Sequence, residues 1–116
     1  CEFSFRRQYP ATVNHVAETG FARRVLGELV GPQNVLDFRP TMGAEDFSFF
    51  LQAKPGCYFL IGNGDGAHRD GGHGLGPCML HNPSYDFNDD LIPLGGSAWV
   101  RIAEAWLAGP PRGSSR

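Results

Sequence analysis

A chain of 116 residues, 41% apolar and 19% charged, has the size and balance of one globular domain rather than of a disordered segment. Its net charge of −2, without a basic stripe, argues against a nucleic-acid partner. No apolar run approaches the roughly 20 residues of a bilayer span, so no membrane partner is expected. Three cysteines without regular spacing point to a reducing, cytoplasmic compartment rather than a disulfide scaffold.

In chain order, residues 1–7 alternate apolar and polar side chains after Glu2, the pattern of a half-buried strand. No hairpin partner follows. The chain opens at Cys1, and the expectation is a truncated piece of a longer protein. Asn14 is placed to cap a helix, with Glu18 in its first turn. Ala17, Phe21, Val25 and Leu29 recur every fourth residue, with Ala22 and Leu26 beside them, and Gly31-Pro32 stops the run. Arg23, Arg24 and Glu28 fall on its wet side.

Val35–Phe38 predicts a short strand ending before Pro40. Thr41–Phe47 predicts a flexible turn entering an apolar helix that continues to about Leu51. Gly43 permits close backbone approach there, and free N–H groups at a helix start suit an anion. Glu45 and Asp46 in the same turn fit dipole-complementary capping equally well. Cys57–Ile61 is the clearest strand, apolar enough for a central position covered on both faces.

Residues 62–76 form a glycine-rich loop carrying Asp65, His68, Asp70 and His73. Its spacing fits neither a phosphate loop nor a dinucleotide fingerprint. Asp89 or Asp90 can then cap a last helix, with Pro93 in its first turn and Leu94, Ala98, Ile102 and Ala105 along one face. Trp99 and Trp106 add aromatic bulk, and Gly109-Pro110-Pro111 ends the helix. Alternating helices and strands imply an α/β layer with a mostly parallel sheet, whose sites gather beyond the carboxyl ends of the strands. The glycine loop and His81 lie on that side of Cys57–Ile61.

Two chemistries compete for the histidines. His68, His73, Cys78 and His81 supply four N/S donors within 14 residues, enough in number for a closed tetrahedral zinc, although the spacing fits no common finger. That arrangement would make the chain a small non-enzymatic Cys/His metal-binding or interaction module. The plain alternative is four surface and loop histidines.

Three segments carry a resemblance: Tyr9-Pro10-Ala11-Thr12-Val13-Asn14, Met42-Gly43-Ala44-Glu45-Asp46-Phe47 and Leu80-His81-Asn82-Pro83-Ser84-Tyr85-Asp86-Phe87-Asn88. In order and spacing they resemble the carboxyl-terminal part of the two-metal amidohydrolases that include hippurate hydrolase and indole-3-acetyl-amino-acid hydrolase, relatives of aminoacylase and carboxypeptidase G. The resemblance implies a zinc-peptidase-like catalytic domain with a mostly parallel sheet, interrupted by a lid or dimerisation domain. Residues 1–8 would end the lid, 9–108 would form the returning part of the catalytic domain, and 109–116 a disordered tail.

It further implies hydrolysis of N-acyl amino acids by the complete protein, a homo-oligomer holding two divalent ions per site, zinc or manganese foremost, nickel or cobalt also admissible. His81 would be the family's last metal ligand. Asp86 would orient that segment, and Gly43, Ala44 and Glu45 would face the substrate. The family's Cys-x-His pair, its Glu-Glu pair with the general base and a further histidine have no counterpart here, so no catalytic residue is assigned and this piece alone is expected to be inactive.

Overall fold

The computed structural model describes residues 1–6, 8–68, 80–83 and 85–109. Helix α1 spans Val16–Val30, a 3₁₀ turn follows at Pro32–Asn34, α2 spans Phe47–Ala53 and α3 spans Leu91–Leu107. The apolar face of α1 meets α3. Ala22, Val25 and Ala98 are buried there, and Phe21 stands edge-on to Trp106 with ring centroids 5.3 Å apart. The wet face of α1 holds two ion pairs, Arg23–Asp37 at 2.6 Å and Arg24–Glu28 at 3.2 Å. Both are exposed, and pairs of that kind contribute at most about 1 kcal/mol.

α1 ends where the sequence places its stop. Gly31 has φ +86°, so glycine is favoured there on conformational grounds; a Cβ would meet only the flexible end of the Gln33 side chain, 2.5 Å away. The start of the helix differs from expectation. The N-cap is His15, and neither it nor Asn14 makes a side-chain cap bond. Asn14 is occupied elsewhere: its Nδ2 donates to the Tyr58 carbonyl at 2.7 Å and its Oδ1 accepts the Tyr58 N–H at 2.7 Å. His15 repeats the pattern, its N–H donating to the Gly56 carbonyl at 3.0 Å while its Nδ1 accepts the Gly56 N–H at 3.2 Å.

α2 runs two residues past the expected end and stops at Lys54, which is extended (φ −146°, ψ 144°) because Pro55 disfavours the helical region for its predecessor. α3 likewise lacks the expected aspartate cap: Asp90 makes no side-chain cap bond. Asn88 serves instead, its Oδ1 accepting the Asp90 N–H at 3.1 Å and its carbonyl accepting Leu91 N–H at 3.0 Å. A short amide side chain reaches the backbone two residues on, which suits it to this position.

The segment Cys57–Ile61 meets a helix on each of two sides, though Leu60 and Ile61 stay exposed instead of covered on both faces. Phe59 packs on Trp99 of α3 at 5.7 Å, and the Ile61 Cδ1 lies 3.8 Å from where a Gly95 Cβ would be. Tyr58 points the other way, to Phe47 of α2 at 5.6 Å. That alternation is the period-two geometry of a strand. Among the described residues no strand ladder forms, and Val35–Phe38 carries Leu36 and Phe38 exposed. A parallel sheet needs neighbouring strands beyond those described.

The arrangement is open. Its accessible surface is 10270 Å², where a folded chain of this mass exposes about 6,200 Å². Its radius of gyration is 18.3 Å and its shortest dimension 20 Å, against about 13 Å of gyration radius for a compact domain of this length. Among the described residues the buried apolar side chains are Ala22, Val25, Leu51 and Ala98, while Phe3, Met42, Phe87, Ile92 and Trp99 are among many large ones left exposed.

Candidate functional site

All three sequence motifs converge on residues 56–63. The first reaches it through the Asn14 and His15 pairs just described. The second reaches it through Glu45: the Tyr58 hydroxyl donates to Glu45 Oε2 at 3.0 Å. The third reaches it through Asn63, whose Nδ2 donates to the Asp86 carbonyl at 2.9 Å and whose Oδ1 accepts the Asn88 N–H at 2.9 Å. Asn14 and Asn63 thus perform one task, an amide side chain standing in for a paired backbone.

The turn before α2 is anchored at one end and open at the other. Glu45 and Asp46 precede α2 instead of lying within its first turn. Glu45 Oε1 accepts the Phe47 N–H at 3.4 Å. The Glu45 carbonyl accepts Ser48 N–H at 3.2 Å and Ser48 Oγ–H at 2.7 Å, and Ser48 is buried. Phe49 N–H is taken by the Asp46 carbonyl at 3.0 Å. The amides at the start of α2 are therefore engaged within the chain, beside a carboxylate. Met42, Gly43 and Ala44 stand exposed ahead of them.

Those contacts shift two ionisations. The Tyr58 hydroxyl, then the contacts of Asp46 and the Phe47 N–H, hold the Glu45 carboxyl below its ordinary value of 4.5. The same bond to Glu45, followed by burial and the charges of Glu45 and Asp46, holds the Tyr58 phenol above its ordinary 10.0. A depressed carboxyl contributes stability above its unfolded pKa and loses it as pH falls through the folded value. A raised phenol contributes below its unfolded pKa and loses it as pH rises through the folded value. The pair therefore stabilises the turn between those limits. In a phenolate absorbance titration one tyrosine should ionise late, and Glu45→Gln should move that step towards lower pH; an unmoved titration would exclude the pair.

His81 is exposed and is the non-glycine residue with positive φ, +72°, among the described residues. Histidine tolerates the left-handed region better than most side chains, yet such positions cost of order 1–3 kcal/mol and are often found at functional sites. The following turn closes through Tyr85 N–H to the Asn82 carbonyl at 2.9 Å, with the Tyr85 and Phe87 rings edge-on at 4.7 Å. Asp86 acts here through its backbone carbonyl, which also lies 3.1 Å from His68 Nε2. The Asn63 Nδ2 lies 3.4 Å from the same ring nitrogen.

Among the described residues no group of three or more His, Cys, Asp or Glu side chains is gathered to hold a metal ion. His73 and Cys78, two members of the closed-site alternative, lie outside the described residues, as does the tail from 110 onwards. His81 fits a divalent metal as a single exposed imidazole donor, and a stable site would need further ligands from elsewhere. Sequence reasoning missed Tyr58, His15 and Asn63. In the sequence Asn14 reads as a helix cap and as the end of the first motif, and Asn63 as part of the glycine-rich loop.

Comparison with known proteins places this sequence in a family. The chain is 33% identical over 99 residues to IAA-amino acid hydrolase ILR1-like 4 of Arabidopsis thaliana, covering 85% of this chain and 21% of the relative. It is 33% identical over 99 residues to hippurate hydrolase of Campylobacter jejuni, covering 84% of this chain and 23% of the relative. Against thermostable carboxypeptidase 1 of Saccharolobus solfataricus it is 35% identical over 106 residues, 89% of this chain and 24% of the relative. The chain spans about a fifth to a quarter of the length of these relatives. No solved structure matches. Residues 1–105 match the profile of peptidase family M20/M25/M40, and the chain belongs to that family.

Proposed function

We propose that this chain is the carboxyl-terminal part of a metal-dependent amidohydrolase that cleaves the amide bond of N-acyl amino acids such as hippurate. The observation that carries it is the family match over residues 1–105 combined with His81, an exposed imidazole held on a left-handed bend. His81 would hold one of two divalent ions, zinc or manganese foremost, and nickel or cobalt would also suit an imidazole donor. Such an ion, when bound, polarises the scissile carbonyl.

This chain's own residues would position and orient. Asn63 and the Asp86 carbonyl fix the segment that bears His81, and Gly43, Ala44 and Glu45 lie on the exposed turn that would meet the substrate. The sequence contains no Glu-Glu pair, so the general base would come from residues outside this chain. The exposed apolar side chains are consistent with a surface that the remainder of a mostly parallel α/β catalytic domain covers, with residues 1–8 leaving towards a lid or dimerisation domain. The complete protein would be a cytoplasmic homo-oligomer.

The test is turnover by the complete protein carrying this sequence. Hippurate should yield benzoate and glycine, a chelator should abolish the reaction, and zinc or manganese should restore it. Absence of turnover across a panel of N-acyl amino acids would overturn the proposal.

A further inference from the structure

We propose that Asn14 and Tyr58 are positioning residues for the turn at residues 42–46: the Asn14 amide fixes the Tyr58 backbone, and the Tyr58 hydroxyl fixes the Glu45 carboxylate. In calling that turn substrate-facing, the proposal rests on the amidohydrolase function above. The contacts form one continuous chain. Asn14 holds both backbone polar atoms of Tyr58 at 2.7 Å, so the residue is held in translation and rotation. Its ring rests on Phe47 at 5.6 Å, and its hydroxyl meets Glu45 Oε2 at 3.0 Å.

The second Glu45 oxygen and the Glu45 carbonyl are tied to Phe47 and Ser48. Glu45 is thus fixed on three sides. Met42, Gly43 and Ala44, just ahead of it, are exposed. A short loop held at its carboxyl end and free at its tip presents that tip in one orientation, which is what a binding turn requires. The Asn14–Tyr58 link spans 44 residues of sequence, so it couples the first motif to the second through a third segment.

Tyr58→Phe is the informative variant, because it removes the hydroxyl and keeps the ring on Phe47. Hydrogen–deuterium exchange should be followed in the complete protein, with steady-state kinetics on hippurate alongside. In Tyr58→Phe, exchange over residues 41–48 should quicken several-fold while α3 peptides stay unchanged; in Asn14→Ala the same quickening should appear together with faster exchange over residues 57–61. KM should rise several-fold with kcat little altered, the signature of lost positioning. Glu45→Gln, which keeps an acceptor for the hydroxyl, should fall between wild type and Tyr58→Phe.

Unchanged exchange over 41–48 in Tyr58→Phe would overturn the proposal whatever the kinetics. Faster exchange with KM and kcat both unmoved would overturn it too, by removing the turn from the substrate surface. Faster exchange in a protein whose wild type turns over no acyl amino acid would sink the amidohydrolase function and leave the positioning of the turn supported.

Discussion

On the proposed amidohydrolase function, replacing His81 with alanine in the complete protein should lower kcat by more than about 100-fold, since losing even a residue that only orients a metal ligand costs 10–100-fold. Bound metal should fall in parallel. Backbone conformation complicates the comparison, because alanine is strained at a φ of +72° whereas asparagine and glycine are not. His81→Asn and His81→Gly are therefore the cleaner variants: both accept the bend and neither supplies the imidazole. All three should lose activity alike, with His81→Ala the least stable. Full metal content and near wild-type kcat in His81→Asn would remove His81 from the metal site.

Replacing Asn14 with alanine should destabilise the fold by about 2–3 kcal/mol, because it strands the N–H and the carbonyl of a half-buried Tyr58 together. A lost helix cap would cost nearer 1 kcal/mol and would be restored by aspartate or serine. Aspartate separates the two roles sharply. At a cap it is as good as asparagine, but opposite Tyr58 it sets a carboxylate oxygen against the carbonyl that Asn14 Nδ2 now serves at 2.7 Å. Denaturation followed by the fluorescence of Trp99 and Trp106 should rank Asn14→Asp at or below Asn14→Ala. Wild-type stability in Asn14→Asp would return the residue to a capping role.

These expectations show where the sequence is legible. The period of four in Ala17, Phe21, Val25 and Leu29 locates α1, and Gly31-Pro32 locates its end, because apolar spacing and left-handed glycine act locally. The cap positions are less legible. Asn14, Asp89 and Asp90 all have cap chemistry, yet Asn14 is claimed by a residue 44 positions away and Asn88 takes the place of both aspartates. A hydrogen bond set by tertiary structure outranks a local preference and leaves no local trace. His81 stands out in the sequence through its motif alone, since nothing about a single imidazole before Asn-Pro announces a ligand, and its ligand role belongs to the proposed function. Tyr58 was invisible for the same reason, its role residing in a hydroxyl whose partner lies 13 residues earlier.

The amide of Asn14 also fixes register. Along Cys57–Ile61, Tyr58 serves the α2 side while Phe59 and Ile61 serve α3. Were the segment to slip by one residue, its two faces would exchange. A slip in one direction would set Phe59 against Glu45 with no hydroxyl to offer, and a slip in the other would drive Tyr58 against Trp99. In an extended ladder many weak bonds share the task of preventing that error. Here a few side chains share it, Asn14 gripping Tyr58 by both backbone polar atoms beside the His15–Gly56 pair, so a change at Asn14 threatens alignment along the segment and reaches beyond the two bonds it removes.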